Sequence, residues 1–474
     1  MLLATLNSGT LVIALPELER ALGVDLLTLV WVILAFMIAS TVLVLFFGRL
    51  SDVFGRKRAF VGGFAVFTVA SLGAGFATGG TDLLLWRVLQ GVGGAMLFAN
   101  ATALVTDAFP REELGIAMGT NVMIAGVGLV LGPVLGGALV EISWHWVFWF
   151  NVPIGLFGTY WAATVLQELV PPEQERRFDW LGTLLFVVGL TGLTYGMSRG
   201  GIVSWTDAHT VVSLLAAAVL LPAFILVERR VAEPMLDLSL FEDRGFNAAT
   251  GAAFLSGLSR FSLTFVFVLY FQGALGDDPI LAGVKLAPLA AGMLISSPIA
   301  GRYADRHGAR SLSAIGLIVS AAGMAGMATL QVGTPYWLTA TWLLIAGIGS
   351  GMFNSPNTAA MMGAVPAHRR GIAGGTRMML QNTGSVLSIA LLLAIVTNGI
   401  PTETLLSIFS GVTTGLSADA LDPFIHNLHI AMWVLTATSL AGAAVALMRR
   451  KTAPGGTGAG TAPAVPTPSA RVPA

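Results

Sequence analysis

Residues 48–58 of the chain read GRLSDVFGRKR, and a related stretch, GRYADRHGAR, occupies residues 301–310. Both begin with Gly-Arg, carry an aspartate four residues after the first glycine, and place a second glycine three residues further on. The matched pairs are Gly48 with Gly301, Asp52 with Asp305, and Gly55 with Gly308. Because only 11% of the residues are Asp, Glu, Lys or Arg, a shared pattern built on such charges indicates a duplicated unit.

A second repeat points the same way. Residues 91–119 read GVGGAMLFANATALVTDAFPREELGIAMG, and residues 347–375 read GIGSGMFNSPNTAAMMGAVPAHRRGIAGG. The matches keep one offset through an apolar segment and through the polar loop after it, which a merely similar composition does not explain. Duplicated halves related by an axis along the membrane normal are a known transporter plan, with the solute site between them near mid-membrane.

The composition is that of a protein embedded in a lipid bilayer. Hydrophobic residues fill 55% of the 474 positions and charged residues 11%, against roughly a quarter charged in a soluble domain. Since a spanning helix needs about 20 mostly apolar residues, hydropathy predicts an all-α integral membrane protein with about 14 transmembrane helices. The predicted spans are residues 2–16, 28–48, 59–78, 82–107, 114–139, 146–167, 180–198, 210–228, 246–272, 280–300, 311–331, 336–362, 372–398 and 428–448.

The repeats divide these spans into six, two and six. The predicted domains are an N-terminal bundle at 1–168, a linker with two extra spans at 169–244, a C-terminal bundle at 245–448 and a disordered tail at 449–474. Alternate loops carry nearly all the Lys and Arg, and the opposite loops hold only Arg20 and Arg199. Because cytoplasmic loops carry the basic excess, we expect both termini in the cytoplasm and a multi-pass protein of the plasma (inner) membrane.

The first predicted span is short. From Met1 to Pro16 the chain rises only about 22 Å as a helix, less than the roughly 30 Å hydrocarbon core. We therefore expect the start of this sequence to lie inside a longer first helix, with tilting and local thinning of the bilayer as the alternative. A signal peptide is a further alternative, but the basic segment that precedes its apolar run is missing.

The stretch at residues 48–58 resembles the loop signature between the second and third helices of the major facilitator superfamily. The resemblance implies two six-helix bundles that rock about a central site. It also implies that Asp52 contacts the positive end of a helix of the other half, here the one beginning at Gly371, and that Arg56 pairs with Asp107. The alternative is a solvated loop that only sets topology.

Residues 85–94, LWRVLQGVGG, resemble a second signature of the same superfamily, in which the arginine is buried. A charge at membrane depth is costly, so Arg87 is a candidate for substrate binding or coupling, with Gln90 one turn later. The alternative is that Arg87 extends toward the nearby membrane surface, since it lies five residues from Asp82.

A third signature concerns the fifth predicted span. Residues 128–137, GLVLGPVLGG, resemble the glycine and proline motif of the superfamily's antiporters, in which small residues permit close helix crossing and proline permits bending. The motif positions are Gly128, Gly132, Pro133, Gly136 and Gly137. Residues 144–155, WHWVFWFNVPIG, are similar to a stretch of the 14-helix drug:proton antiporters.

The chain departs from that family at its first helix. Asn7 occupies the position of the usual membrane aspartate, and an amide does not titrate. None of the Asp or Glu residues falls well inside a predicted span, whereas Arg87, Arg260, Lys285 and Arg377 fall within spans or at their edges. Unbalanced positive charge of this kind favours an anionic or electron-rich solute. For Arg260, pairing with an acid or a lipid phosphate at the membrane rim is the alternative.

These patterns predict a secondary active transporter that exports drug-like or amphiphilic small molecules, coupled to protons. The alternative is a proton-independent facilitator or exchanger of an organic anion. A membrane enzyme or sensor would need a catalytic constellation, a nucleotide loop or a soluble domain, and the sequence has none of these. We expect a monomer without metal, cofactor or nucleic-acid partner, which binds its small-molecule substrate, possible coupling protons and the lipid bilayer. The longest outer loop contains an apolar run, 403–409, expected to lie on the membrane surface.

Overall fold

The computed structural model describes residues 2–108, 131–168, 179–231, 238–363, 370–409 and 418–449, together with positions 124, 128, 234, 236 and 365. Throughout these residues the regular structure is helical, with no strand. The helices are α1 (Leu2–Leu22), α2 (Leu26–Phe54), α3 (Arg56–Ala74), α4 (Gly80–Ala108), α5 (Leu131–Ile142), α6 (Trp146–Trp149), α7 (Asn151–Val165), α8 (Trp180–Ile202), α9 (Ala208–Glu228), α10 (Arg244–Val268), α11 (Pro279–His307), α12 (Ala309–Met327), α13 (Tyr336–Gly363), α14 (Arg370–Val396), α15 (Thr402–Phe409) and α16 (Ala418–Leu447). A 3₁₀ turn at Leu238–Glu242 precedes α10, and a π-helical turn at Leu269–Ala274 extends it.

Within the described residues, 10 helices are long and apolar enough to cross a membrane, namely α2, α4, α8 to α14 and α16. The all-α membrane fold predicted from hydropathy is therefore confirmed. The predicted count of about 14 spans stays a prediction, because α1, α3 and α7 are not among these helices and α5 is described only over Leu131–Ile142. The predicted tail, 449–474, lies outside the described residues except for its first position.

The first helix differs from its prediction. The expected span ended at Pro16, but α1 runs on to Leu22 with that proline inside it. A proline removes only one helical hydrogen bond, and the following residues Glu17 to Arg20 have good helix propensity. At 21 residues the helix rises about 31 Å, but half of the added residues are charged and α1 is not among the helices long and apolar enough to cross a membrane. The expected shortfall of its apolar part therefore stays a prediction.

Both halves contain the same turn. Gly55 joins α2 to α3 with φ 98° and ψ 133°, and Gly308 joins α11 to α12 with φ 87° and ψ 150°. Positive φ of this size strongly favours glycine, so the repeated glycine in the sequence has a repeated conformational cause. We call the end of the bundle with the Gly55 turn the α2–α3 face, and the opposite end, with the turn at residues 23–25, the α1–α2 face.

Packing follows the second repeat. Helix α4 packs against α2 and α3, and α13 packs in the same way against α11 and α12. A Cβ added to Gly93 would lie 2.9 Å from the carbonyl oxygen of Gly63, and one added to Gly349 would lie 2.5 Å from that of Gly316. Each glycine thus allows backbone contact between helices that a larger residue would prevent, in the manner usual for membrane helices.

The two inserted helices lie beside the line where the halves meet. Helix α8 packs on α9 and also on α2 and α14, which contact each other across the halves. Trp31 Nε1 of α2 donates a hydrogen bond to Ser198 Oγ (3.3 Å), and Thr397 Oγ1 after α14 donates to the carbonyl of Gly201 (2.8 Å). The insertion therefore bridges one helix of each half.

The short helix α15 confirms the expected helical run but not its expected position. Ile408 and Phe409 are fully buried, and the Phe409 ring centre lies 6.2 Å from that of Phe265 on α10. The apolar face of this helix thus packs on protein rather than on the membrane surface.

Candidate functional site

Arg87 lies in the interior of the first half. Its side chain is 1% exposed, and its Nε donates a hydrogen bond to the carbonyl oxygen of Val32 (2.8 Å). A terminal nitrogen donates to Gln90 Oε1, and the guanidinium carbon lies 4.6 Å from the centre of the Phe36 ring. The side chain is therefore enclosed by protein and does not extend to the membrane surface, while its role in transport stays a prediction.

Gln90 extends this arrangement into a network across four helices. Its Nε2 donates to Ser71 Oγ (2.7 Å) and to Asn7 Oδ1 (3.2 Å), and Asn151 Nδ2 lies 3.4 Å from the same Asn7 oxygen. The three amide side chains are completely buried. The network thus joins α1, α3, α4 and α7, and the Asn7 position singled out by sequence lies at its centre.

The network has no acidic member among the described residues. Arginine keeps its proton in proteins, so the Arg87 charge is balanced only by carbonyl and amide dipoles. Asn7 Nδ2 and Asn151 Oδ1 have no hydrogen-bond partner. A carboxylate at position 7 would replace the first of these with an acceptor, which explains in physical terms why an aspartate suits this position better.

The glycine and proline segment of α5 packs tightly on the first helix. A Cβ on Gly132 would come within 2.9 Å of Gly9 Cα, and one on Gly136 within 2.7 Å of the Thr10 carbonyl oxygen. Gly128 is helical and buried, although its immediate neighbours lie outside the described residues. The motif therefore gives α5 a backbone contact with α1 at Gly9 and Thr10, which follow Asn7 within one helical turn.

The same segment reaches across to the second half. A Cβ on Gly137 would lie 2.5 Å from the carbonyl oxygen of Pro279, and one on Gly283 would lie 2.5 Å from that of Pro133. Both contacts join α5 to the beginning of α11, close to the α1–α2 face. The motif thus supplies a close backbone contact between the halves at this face.

Glu168, which follows α7 and was not singled out by sequence, contacts the α2–α3 loop. Glu168 Oε1 accepts a hydrogen bond from the backbone N–H of Arg56 (2.8 Å), and its Oε2 accepts from that of Lys57 (3.1 Å). A Cβ on Gly55 would lie 2.6 Å from the same carboxylate. A negative charge at a helix N-terminus is favourable, so Glu168 holds the beginning of α3.

The predicted ionic contacts of this loop stay predictions. The side chains of Asp52 and Asp107 lie outside the described residues, so neither the Asp52 contact with the helix beginning near Gly371 nor the Arg56 pair with Asp107 is tested. The side chain of Asp305 also lies outside them.

The glycines that open the two related loops are described. A Cβ on Gly48 would lie 4.0 Å from Ala99 Cβ, and one on Gly301 would lie 2.8 Å from Ser355 Oγ. In the register of the second repeat, Ala99 and Ser355 are matched positions of α4 and α13. Each glycine therefore faces the same helix of its own half.

The second half contains two partly buried arginines within its helices. Arg260 of α10 donates a weak hydrogen bond from Nη1 to Met293 Sδ (3.5 Å), while its buried Nε has no partner among the described residues. Arg377 of α14 donates from Nη1 to Gln381 Oε1 (2.9 Å), and Gln381 Nε2 donates to Asn354 Oδ1 (3.2 Å). Neither guanidinium has an acidic partner among the described residues.

A small cavity adjoins Arg260. Its walls come from α10, α11 and α13, and they consist of Arg260, Phe261, Thr264, Leu289, Met293, Gly347 and Ser350. The enclosed space has room for about one water-sized group, so it is far smaller than the pocket of a drug-sized ligand.

Lys285, the remaining basic residue at the edge of a span, has an acidic partner. Its Nζ lies 2.5 Å from Asp277 Oδ2, and both side chains are mostly buried. The ammonium group also lies 5.5 Å from the Phe271 ring centre and 5.7 Å from that of Tyr336. The charge of Lys285 is thus balanced by Asp277 near the α1–α2 face, unlike the charges of Arg260 and Arg377.

A pair of buried carboxylates in the inserted helices was missed by sequence. Asp179 caps the beginning of α8, and Glu228 ends α9 and accepts a hydrogen bond from the backbone N–H of Leu236 (2.9 Å). Asp179 Oδ2 and Glu228 Oε1 lack partners and both approach the space above Gly182. Their positions at the ends of predicted spans gave no signal, since only the tertiary fold brings them together.

Comparison with known proteins identifies the family. The model of the Major Facilitator Superfamily matches residues 1–388 and 249–469. The uncharacterized MFS-type transporter EfpA of Mycobacterium tuberculosis is 33% identical over 417 residues, which cover 87% of this chain and 77% of that protein. Multidrug resistance protein 3 of Bacillus subtilis is 32% identical over 385 residues, covering 81% and 75%.

Two further similarities agree. The tetracenomycin C resistance and export protein of Streptomyces glaucescens is 29% identical over 393 residues, covering 83% of this chain and 73% of that protein. A solved bacterial homolog of the human lysosomal transporter Spinster, inward-facing and unoccupied, has the same fold with a TM-score of 0.65, 15% identity and 94% of each chain covered. This protein is therefore a membrane-embedded transporter rather than an enzyme, and it belongs to the major facilitator superfamily.

Proposed function

We propose that this transporter exports drug-like or amphiphilic small molecules across the plasma membrane by alternating access. The observation that carries the proposal is the contact of the α5 glycine segment with α11 at Gly137 and Gly283. A backbone contact between halves can close one face of a central pathway and separate without unfolding either half. Two relatives, one named a multidrug resistance protein and the other a resistance and export protein, support export as the direction of transport.

We infer the membrane arrangement from the distribution of charge. It has about 14 spans in two six-helix bundles, at 1–168 and 245–448, with an inserted pair at 169–244 and a cytoplasmic tail from 449. Both termini are cytoplasmic, so the α1–α2 face is extracellular. The excess of Lys and Arg in alternate loops supports this orientation. We propose a monomer as the working unit.

The energy source separates two versions of the proposal. Proton-coupled export is the first, although the position that usually holds the proton carrier is Asn7, which does not titrate. The alternative is proton-independent facilitation or exchange of an organic anion. Arg260 and Arg377, which have no acidic partner among the described residues, favour this alternative.

Transport by inside-out membrane vesicles tests the function and its coupling together. The vesicles should accumulate members of a panel of amphiphilic compounds when they contain this protein, compared with vesicles from cells that lack it. Dissipating the pH gradient with nigericin should reduce accumulation if protons drive export. Accumulation unchanged by nigericin would overturn proton coupling, and no accumulation of any compound would overturn export of amphiphiles.

The proposed latch at Asp52 has its own test. Asp52→Asn should abolish transport without loss of folded, membrane-inserted protein, because an amide cannot supply the charge that holds the α14 helix. Asp25→Asn is the matched control at the opposite end of α2, where Asp25 caps the helix through the Thr28 N–H (2.8 Å) and asparagine caps equally well. Full activity of Asp52→Asn would refute the latch.

A further inference from the structure

The two buried carboxylates of the inserted helices lie at one end of the hairpin that α8 and α9 form. Asp179 directly precedes α8, and Glu228 is the last residue of α9. Asp179 is 9% exposed and Glu228 is 2% exposed, and no other acidic side chain of the described residues is buried to this extent. Because an ionised carboxylate is costly to bury without a partner, the charge state of this pair needs a physical explanation.

One oxygen of each carboxyl group is held by the backbone. Asp179 Oδ1 accepts a hydrogen bond from the N–H of Gly182 (2.7 Å), and Glu228 Oε2 accepts one from the N–H of Leu236 (2.9 Å). The second oxygen of each group, Asp179 Oδ2 and Glu228 Oε1, is buried and has no hydrogen-bond partner among the described residues. The backbone bonds thus orient both groups and leave one acceptor of each unused.

The two unused oxygens lie on the same side of Gly182. A Cβ added to Gly182 would lie 2.2 Å from Asp179 Oδ2 and 2.6 Å from Glu228 Oε1. The two oxygens therefore lie within about 5 Å of each other, a separation at which one carboxylate opposes the ionisation of another. A single proton between them would remove the repulsion and turn one unused acceptor into a donor for the other.

The surrounding charge balances one carboxylate and not two. Among the described residues, the charges that act on Glu228 are those of Asp179 and of Arg49 on α2. Helix α14 also packs on α8, and its described guanidinium, that of Arg377, is hydrogen-bonded to Gln381. With one proton bound, the pair has a single negative charge, which the single positive charge of Arg49 matches.

The pair is also joined to the end of α2 at the α2–α3 face. The segment after α9 binds Glu228 through the N–H of Leu236. Two residues earlier, the carbonyl oxygen of Pro234 accepts a hydrogen bond from Arg49 Nη2. Helix α8 packs on α2 as well, so the charge state of the pair bears on how the inserted helices are attached to the first half.

We propose that Asp179 and Glu228 share one proton and form a proton-binding site of the inserted helices at the α2–α3 face. With the proton bound, one carboxyl group donates a hydrogen bond to the other and holds the beginning of α8 against the end of α9. When the proton leaves, two like charges remain in a buried space, and the hairpin loosens where it meets α2. The site is separate from the Asn7 position, and it does not depend on what the protein transports.

Infrared difference spectroscopy of the purified full-length protein detects the shared proton. A protonated carboxyl group has a carbonyl stretch separate from the amide and carboxylate bands, and dodecyl maltoside micelles add no carbonyl of their own. The wild type should show this band at pH 6 and lose it by about pH 9. Glu228→Gln and Asp179→Asn should each remove the band at pH 6, because the new amide donates to the remaining carboxylate, which then stays ionised.

Glu242→Gln is the matched control. It makes the same chemical change at an exposed position of the turn before α10, and its band should be that of the wild type. Thermal unfolding gives a second measurement. Because the folded protein holds a proton that an unfolded chain releases near pH ~4, the stability of the wild type should fall as pH rises until that proton is lost. Glu228→Gln has no such proton and should not show this fall.

Absence of the band from the wild type at pH 6, or an unchanged band in folded Glu228→Gln and Asp179→Asn, would overturn the inference. If one of the two variants does not fold, the other decides. If neither folds, the wild type decides, because its band and its unfolding temperature should fall over the same pH range, and a band lost without that fall would refute the shared proton. The proposed function would survive either refutation if vesicles still accumulate amphiphiles.

Discussion

The two halves of this transporter both place arginine within their membrane-spanning helices, but they surround it differently. In the first half, Arg87 is 1% exposed and donates hydrogen bonds to Val32 and Gln90. In the second half, Arg260 and Arg377 are only partly buried, and the buried Nε of Arg260 has no partner among the described residues. The duplication kept the packing of the halves and changed their polar interiors.

The divergence can be followed at matched positions. In the register that pairs Gly91 with Gly347, Arg87 pairs with Leu343 and Gln90 with Ala346, and both second-half residues are completely buried. The glycines themselves keep their role, since each allows its helix to approach a neighbour. The comparison teaches that the first-half arginine is part of a polar network across several helices, whereas Arg260 of the second half has a weak bond to a sulfur and an N–H without a partner among the described residues.

The largest effect is expected at Arg87 of the first half. Arg87→Ala should abolish transport and lower the unfolding temperature, because it leaves the buried Gln90 Oε1 without its donor at about 1–3 kcal/mol and leaves a cavity. Leu343→Ala is the matched variant of the second half, and it should cost about 2–5 kcal/mol of stability while keeping transport. Wild-type transport rates in Arg87→Ala would break the comparison.

The next effect has the opposite sign. Arg377→Gln should raise the unfolding temperature, since it removes a charge that has no acidic partner among the described residues and loses only one hydrogen bond. Differential scanning fluorimetry of the purified protein measures this. A fall as large as that of Arg87→Ala would mean that both halves use arginine to hold their fold.

Asn7→Asp tests the polar network of the first half. A carboxylate at position 7 would accept hydrogen bonds from Gln90 Nε2 and Asn151 Nδ2 and partly balance the Arg87 charge. Because that group titrates, transport by the variant should gain dependence on the pH gradient, measured in vesicles with and without nigericin. An identical nigericin response in wild type and variant would contradict this assignment of the first-half network.

The smallest effect concerns an arginine that has an acidic partner. Arg199 Nε donates to Asp207 Oδ2 at 2.9 Å, and this hydrogen bond, with those from the N–H groups of Thr210 and His209, lowers the pKa of Asp207 from 3.8 to about 2. The stabilisation is present above the unfolded pKa and is lost as pH falls through the folded pKa, so it fades between about pH 4 and pH 2.

Asp207→Asn should therefore lower the unfolding temperature slightly at neutral pH, and its difference from the wild type should shrink as pH falls through that window. Thermal unfolding from pH 7 to pH 2.5 measures this. A constant difference at every pH would show that the cap on α9, rather than the charge, is responsible.

Sequence patterns were sufficient for the features that depend on local chemistry. The positive φ values at Gly55 and Gly308 follow from glycines in a repeated motif, and long apolar runs located most helices. Helix α1 runs six residues past the end of its predicted span, because the residues after Pro16 favour helix strongly enough to offset the cost of the proline.

Features that depend on helix rotation and tertiary contact could not be predicted. Sequence placed Arg87 within a span but not on the side that faces Gln90 and Asn7, and it gave no reason for α10 to pack on α14. That packing depends on the contact of Gly257 with the backbone of Gln381, which are far apart in the chain. Glu168 was likewise missed, since a carboxylate after one helix that holds the start of another leaves no local pattern.

Transport by inside-out vesicles tests the central claim most directly. Vesicles that contain this protein should accumulate members of the panel of amphiphilic compounds, and Arg87→Ala should remove that accumulation while Leu343→Ala keeps it. Accumulation no greater than in vesicles that lack the protein, or wild-type accumulation in Arg87→Ala, would contradict the account.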